Sequence, residues 1–180
     1  GAIAAIGARA PGADPVAAPS VSVKLSALHP RYQFAQWGRA VVELSEKLLV
    51  LCQAARHAGI GLTVDAEEAD RLEPSLEIFE RVSASPSLAG WDGLGLAVQA
   101  YQKRAVHVVT WLIELARRHR RRIPVRLVKG AYWDTEIKHA QQQGLAGYLV
   151  FTRKASTDVS YLVCAKQIWA ARDVLHPQFA

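Results

Sequence analysis

Short apolar runs alternate with longer helix-period segments along most of the chain, and that alternation restricts the fold more than any other feature. SVSVKL (Ser20 to Leu25) reads as a first strand. After it, from about Gln36 to His57, Val41, Leu44, Leu48, Leu51 and Ala55 recur at the spacing of one helix face. Gly59 stops that helix at a position suited to a left-handed cap. IGLTVDA (Ile60 to Ala66) reads as the second strand, and EADRLEPSLEIFERV as a helix with Leu72, Leu76, Phe79 and Val82 on one face. Pro74 belongs in its first turn or between two short helices. LGLAVQA (Leu94 to Ala100) is the third strand, and the next helix puts Val108, Trp111, Leu112 and Leu115 on one side. IPVRLVK (Ile123 to Lys129) is the fourth, followed by a helix through Ile137 to about Gln143. GYLVFT (Gly147 to Thr152) reads as a fifth strand, followed by a helix from about Thr157 to Arg172. The closing HPQFA reads as the opening of a sixth.

Strands alternating with helices predict an α/β fold with a parallel sheet. Two architectures share this signature: an open doubly wound sheet and a (β/α)₈ barrel. No GxGxxG follows the first strand, which weakens the dinucleotide-binding form of the open sheet. The 180 residues suffice for one domain with a core, and the 51% apolar content fits a globular chain. Residues 1–20, rich in Ala, Gly and Pro, read as a helix end and a connector, and residues 21–180 as the barrel-type domain. The N-terminus lacks the basic region of a signal peptide, and no apolar run is long enough to span a bilayer. A net charge of +6 and a pI near 9.6 allow anionic partners. Part of that charge is one run, RRHRRR (Arg117 to Arg122), which suits a helix C-terminus and lacks the aromatic interleaving of a nucleic-acid patch. Cys52 and Cys164 fit no CxxC or metal spacing and read as buried thiols in a reducing cytoplasm, and no metal site is expected.

Ligands of parallel α/β folds bind at the carboxyl ends of the strands. Those ends carry Lys24, then Asp65 with Glu67 and Glu68, then Gln99, then Arg126 and Lys129, then Thr152 with Arg153 and Lys154. Charge inside a parallel sheet is costly unless paired. The set therefore reads either as a structural network, with Asp65 paired to Lys24 or Arg126, or as a site. Its bias is basic, which suits a ligand with several negative charges. Gly130 and Ala131 open the following helix, where small residues let phosphate oxygens approach backbone N–H groups. Tyr132 and Trp133 can line or stack on a flat ligand, or simply pack.

The segments SVKLSALHPRY, DAEEADRLE, WDGLGLAVQAY, VRLVKGAYWD, VFTRK and TDVSYL, in this order, resemble the proline dehydrogenase domain of the proline utilization A family of bifunctional flavoenzymes. The likeness runs from about Val21 to Ala180. It implies a (β/α)₈ barrel of the proline dehydrogenase type, of which about strands one to five and the start of strand six are represented. It also implies FAD as cofactor, oxidation of L-proline to Δ1-pyrroline-5-carboxylate, and a quinone as electron acceptor. The family further implies a cytoplasmic location with peripheral membrane contact, a fused pyrroline-5-carboxylate dehydrogenase domain, and no nucleic-acid contact through this segment.

By position, Lys24 matches a lysine at the substrate carboxylate, Asp65 an acid on the substrate side, and Tyr132 a residue facing proline. Gln99 and Arg126 match side chains at the flavin ring, with the arginine near N5. Val128, Lys129, Gly130, Ala131, Tyr132 and Trp133 match the segment wrapping the ring and the ribityl-phosphate chain. Thr152 and Lys154 match contacts toward the adenosine end and the phosphates. The family's domain continues through strand eight to a helix whose arginine pair and glutamate close the pocket. These 180 residues alone are therefore expected to oxidise proline weakly or not at all. Two other readings compete: a barrel lyase using Lys24 or Lys129 as a Schiff-base nucleophile, and a basic module binding nucleic acid through RRHRRR.

Overall fold

Five parallel strands lie side by side in chain order: β1 (Ser20–Val23), β2 (Gly61–Val64), β3 (Leu94–Gln99), β4 (Ile123–Val128) and β5 (Leu175–Phe179). The computed structural model describes residues 1–9, 14–29, 32 and 37–180. Strand order that follows chain order without reversal is the barrel arrangement. A doubly wound sheet would reverse at a switch point, and none occurs here. Among the described residues six α-helices accompany the strands: α1 (Ala2–Gly7), α2 (Trp37–His57), α3 (Leu72–Ser83), α4 (Ala105–His119), α5 (Trp133–Gln142) and α6 (Lys154–Ala170).

Register assigns every strand residue to one of two faces. Leu62, Val64, Leu94, Leu96, Val98, Ile123, Val125, Leu127 and Leu175 share one parity and belong to the buried core. Against them pack Leu44 and Leu48 of α2, Ile78 and Phe79 of α3, Leu112 and Leu115 of α4, and Ile168 of α6. Residues of the other parity are small or polar except Val128: Ser20, Ser22, Gly61, Thr63, Gly95, Ala97, Gln99, Pro124, Arg126, His176 and Gln178. Period two thus separates an apolar helix-facing side from a polar inner side.

The predicted helices form where the periodicity places them. In α2, Val41, Leu44, Leu48 and Ala55 are buried, and Gly59 caps its end at φ 69°; Gln36, expected to open this helix, lies outside the described residues. A short 3₁₀ turn, Ala69–Arg71, leads into α3, and Pro74 sits in that helix's first turn. Trp111 of α4 meets Phe79 edge-on with centroids 6.4 Å apart.

One strand assignment is corrected. Gly147–Thr152 is not a strand of the sheet. Val150 makes a single antiparallel bridge to Gln102, Lys103 N–H donates to Leu149 O, and Phe151 N–H donates to Tyr101 O. The segment is held by the loop after β3, while the edge of β4 pairs with Leu175–Phe179. The stretch expected to open a sixth strand is therefore the fifth. The last helix also starts earlier than its periodicity suggested, at Lys154.

At the amino ends of the strands the arginine run is engaged by protein. Arg121 donates to the carbonyls of Ser83, Leu88 and Trp91, Arg122 to those of Leu175 and Arg172, and Arg118 pairs with Glu80 at 2.6 Å. Arg120 closes α4 in the left-handed conformation at φ 50°. Through Arg118, Arg121 and Arg122 the run serves as a helix end and a clamp on neighbouring loops. Cys52 and Cys164 are both buried and free, and burial pushes the Cys52 thiol up to about 12. Among the described residues no helix is long and apolar enough to cross a membrane.

Candidate functional site

Arg126 is the fourth residue of β4 and points to the inner side of the sheet. Its register neighbour on β3 is Ala97, whose methyl group leaves the way open across that strand. The guanidinium reaches Asp65, just past β2, and donates from Nη1 to Ser22 Oγ of β1 at 2.9 Å. One side chain thus ties three strands across a floor of small residues. The pair stays accessible from the mouth, with the Arg126 and Asp65 side chains 29% and 23% exposed.

Lys24 leaves the sheet just beyond β1, and Tyr132 precedes α5. The Lys24 ammonium lies 6.0 Å from the centre of the Tyr132 ring, within cation–π range. Contact with Tyr132, helped by the nearby Asp65 and Glu67 carboxylates, holds this lysine above its ordinary range. Lys129 is raised as well, first by its bond to Asp158. A Schiff-base lysine needs the opposite shift, so the lyase reading gains no support.

Gln99, at the end of β3, is buried. Its Nε2 donates to Glu67 O at 2.8 Å, and its Oε1 accepts from Ala131 N–H at 3.1 Å, pinning the loop after β2 to the loop after β4. Glu67 accepts from Ser26 N–H at 3.0 Å and from Arg71 at 3.1 Å, which adds the loop after β1. Glu136 of α5 accepts from Ala69 N–H at 2.6 Å. Burial raises the Glu136 carboxyl pKa, and that N–H bond opposes the rise. The Ala131 amide is thus already engaged, and the first turn of α5 carries Asp134 and Glu136. An anion finds better surroundings at the start of α6, whose first turn has no acid and which begins at Arg153 and Lys154.

That second region is an open cleft of about 390 Å³ lined by Tyr101, Lys129, Gly130, Trp133, Thr152, Lys154 and Thr157. Gly130 is required there: its φ is 147°, and a Cβ would collide with the Tyr101 ring. Trp133 is 42% exposed and donates from Nε1 to Phe151 O at 2.9 Å, which fixes the indole on the cleft wall. Burial raises the pKa of Tyr101, and a contact with the Tyr132 backbone opposes the rise. Lys129 and Lys154 share one carboxylate, Asp158. Val128 pairs in register with Gln99 and links the two regions.

The structure therefore places the predicted residues in two adjoining groups. Lys24, Asp65, Gln99, Arg126 and Tyr132 surround the sheet's inner face. Lys129, Gly130, Trp133, Thr152 and Lys154 line the cleft. Sequence reasoning did not single out Ser22, Tyr101, Glu136 or Asp158. A serine in a strand and acids within helices look like solvated positions until their partners are known. Tyr101 alone had a local signal, an aromatic directly after the third strand. Among the described residues no three His, Cys, Asp or Glu side chains cluster as metal ligands.

Comparison with known proteins places the whole chain in one family. The family described as proline dehydrogenase matches residues 1–180. The bifunctional protein PutA of Klebsiella aerogenes is 55% identical over 179 residues, covering 99% of this chain and 14% of the relative. PutA of Escherichia coli is 54% identical over the same share of each. The chain thus spans about a seventh of the length of these curated relatives. A crystal structure of proline utilization A from Bradyrhizobium japonicum superposes with a TM-score of 0.96 at 55% identity, over 99% of this chain and 18% of that one. Proline utilization A from Bdellovibrio bacteriovorus, inactivated by N-propargylglycine, gives a TM-score of 0.84 at 31% identity, over 88% of this chain and 16% of that one.

Proposed function

We propose, from the premise that this chain belongs to the proline dehydrogenase family, that its strand-end site takes part in the FAD-dependent oxidation of L-proline to Δ1-pyrroline-5-carboxylate. The observation that carries the reading is the convergence of Lys24, Asp65, Arg126 and Tyr132 over a floor of small side chains.

The residues present suit a flavin. A flat ring with polar edges matches a low floor flanked by the Arg126 guanidinium, and its diphosphate matches the cleft with Lys129 and Lys154. Gly130, which has no side chain, lets the Tyr101 ring pack against the backbone and form the cleft wall. When bound, FAD supplies the acceptor for a hydride from the carbon next to the proline nitrogen. The chain's own groups bind and orient. Lys24 offers a cation to the substrate carboxylate and stays protonated because Tyr132, Asp65 and Glu67 favour the charged form. Arg126, held by Asp65 and Ser22, presents fixed positive charge toward the ring. Tyr132 lies under the Lys24 ammonium and limits the volume on the substrate side. The substrate amine loses its proton to solvent.

A quinone as electron acceptor at a membrane surface and a second, aldehyde-oxidising activity in the longer protein complete the proposal. Support for the second is the word bifunctional in the names of the relatives. The test is spectroscopic. The longer protein that contains this segment is purified with FAD and desalted, and its visible bands are followed during anaerobic addition of proline. Retained bands that bleach with proline are the expected result. Bands that wash out, or that proline leaves unchanged, overturn the reading.

A further inference from the structure

Lys129 follows β4 and Lys154 opens α6, yet their ammonium groups meet at one carboxylate. Asp158 Oδ1 accepts from Lys129 at 2.7 Å and Oδ2 from Lys154 at 2.7 Å. Both lysines line the same cleft, as does Thr157, whose side chain is buried in the wall beside Asp158. Two long side chains from different elements are thereby held as a pair. Each ammonium has three donors and spends one on Asp158, so donors remain for an incoming anion. Ordering two lysines at the moment of binding would cost affinity. Asp158 orders them beforehand and screens their mutual repulsion.

We propose, resting on the FAD reading above, that Asp158 is a positioning residue: it holds Lys129 and Lys154 as a paired-cation clamp for the phosphate groups of FAD. The clamp acts on phosphate alone. It therefore separates ligands that share the ring but differ in the tail.

The experiment titrates wild type and Asp158→Asn with FAD and with riboflavin, following flavin fluorescence. The expected result is a FAD dissociation constant raised about fivefold in the variant, with riboflavin affinity changed by less than about twofold. Equal weakening of both ligands would mean that Asp158 merely supports the fold, and would overturn the proposal. So would no change in either, or a gain in FAD affinity, which would make Asp158 a competitor of the phosphates. If wild type itself binds no FAD, the functional reading fails first and the clamp falls with it.

Discussion

Two arginines, one before β4 and one inside it, show how position within the barrel decides the use of a side chain. Arg121 lies just before the strand and donates to three backbone carbonyls, those of Ser83, Leu88 and Trp91, at 2.8, 2.9 and 2.8 Å. Its partners are neutral, and burial lowers its pKa. Arg126 lies within the strand, faces a carboxylate and a hydroxyl, and remains open to the mouth. The first closes loops against the base of the sheet. The second keeps a charge in place at the mouth, where the proposed ligand would sit. This division is what the barrel architecture predicts, with stability at the amino ends and chemistry at the carboxyl ends.

The comparison breaks most visibly at Arg121. Arg121→Met removes the donor from three carbonyls at once, and a stability loss of about 3 kcal/mol is expected in urea unfolding. Flavin affinity at temperatures where the variant is folded should stay within about twofold of wild type. Arg126→Met should do the reverse. Proline-dependent flavin reduction is expected to fall about 100-fold, the scale for removing one fixed donor, with stability changed by under about 1 kcal/mol. If both variants lose stability equally, the two ends are not functionally distinct.

Gly130→Ala tests the boundary between the regions. A Cβ there meets the Tyr101 ring at a φ reserved for glycine, so a loss of about 2 kcal/mol and weaker flavin retention are expected together. Stability lost without any change in retention would detach the cleft from the flavin. The smallest expected effect is at Glu136. Its pKa is raised in the folded chain, chiefly by burial, so the folded state favours the protonated acid. That contribution is present below the ordinary glutamate value of 4.5 and is lost as pH rises through the folded value. Glu136→Gln can still accept from Ala69 N–H. Its stability advantage over wild type should therefore be absent at low pH and grow, to under about 1 kcal/mol, as pH rises past that window. Thermal denaturation at a series of pH values reads the difference directly. An advantage independent of pH would remove the titration from the account.

Much of this was legible in the residues. The apolar spacings of α2, α3 and α4 became buried faces because a helix in water has few other ways to hide such a stripe. The charges in and after the strands marked the candidate site because parallel strands rarely carry them without a partner or a ligand. What escaped was pairing. GYLVFT has a strand's composition, yet a strand also needs a free sheet edge. The edge of β4 pairs with Leu175–Phe179, delivered by α6. Nothing local distinguishes Asp158 and Glu136, whose roles appear only once Lys129 and Ala69 lie beside them.

By itself the sequence determined the alternation, and with it the parallel sheet, the helix faces and the family of the domain. These follow from local periodicity and from motifs read along one chain. Only the tertiary structure decided that Arg126 spans to Ser22 and Asp65, that Gln99 braces two loops, and that two lysines from separate elements share one carboxylate. Hydrogen bonds and ion pairs act over about 3 Å. Residues as far apart as Ser22 and Arg126 come within that reach only after the crossovers have stacked the strands.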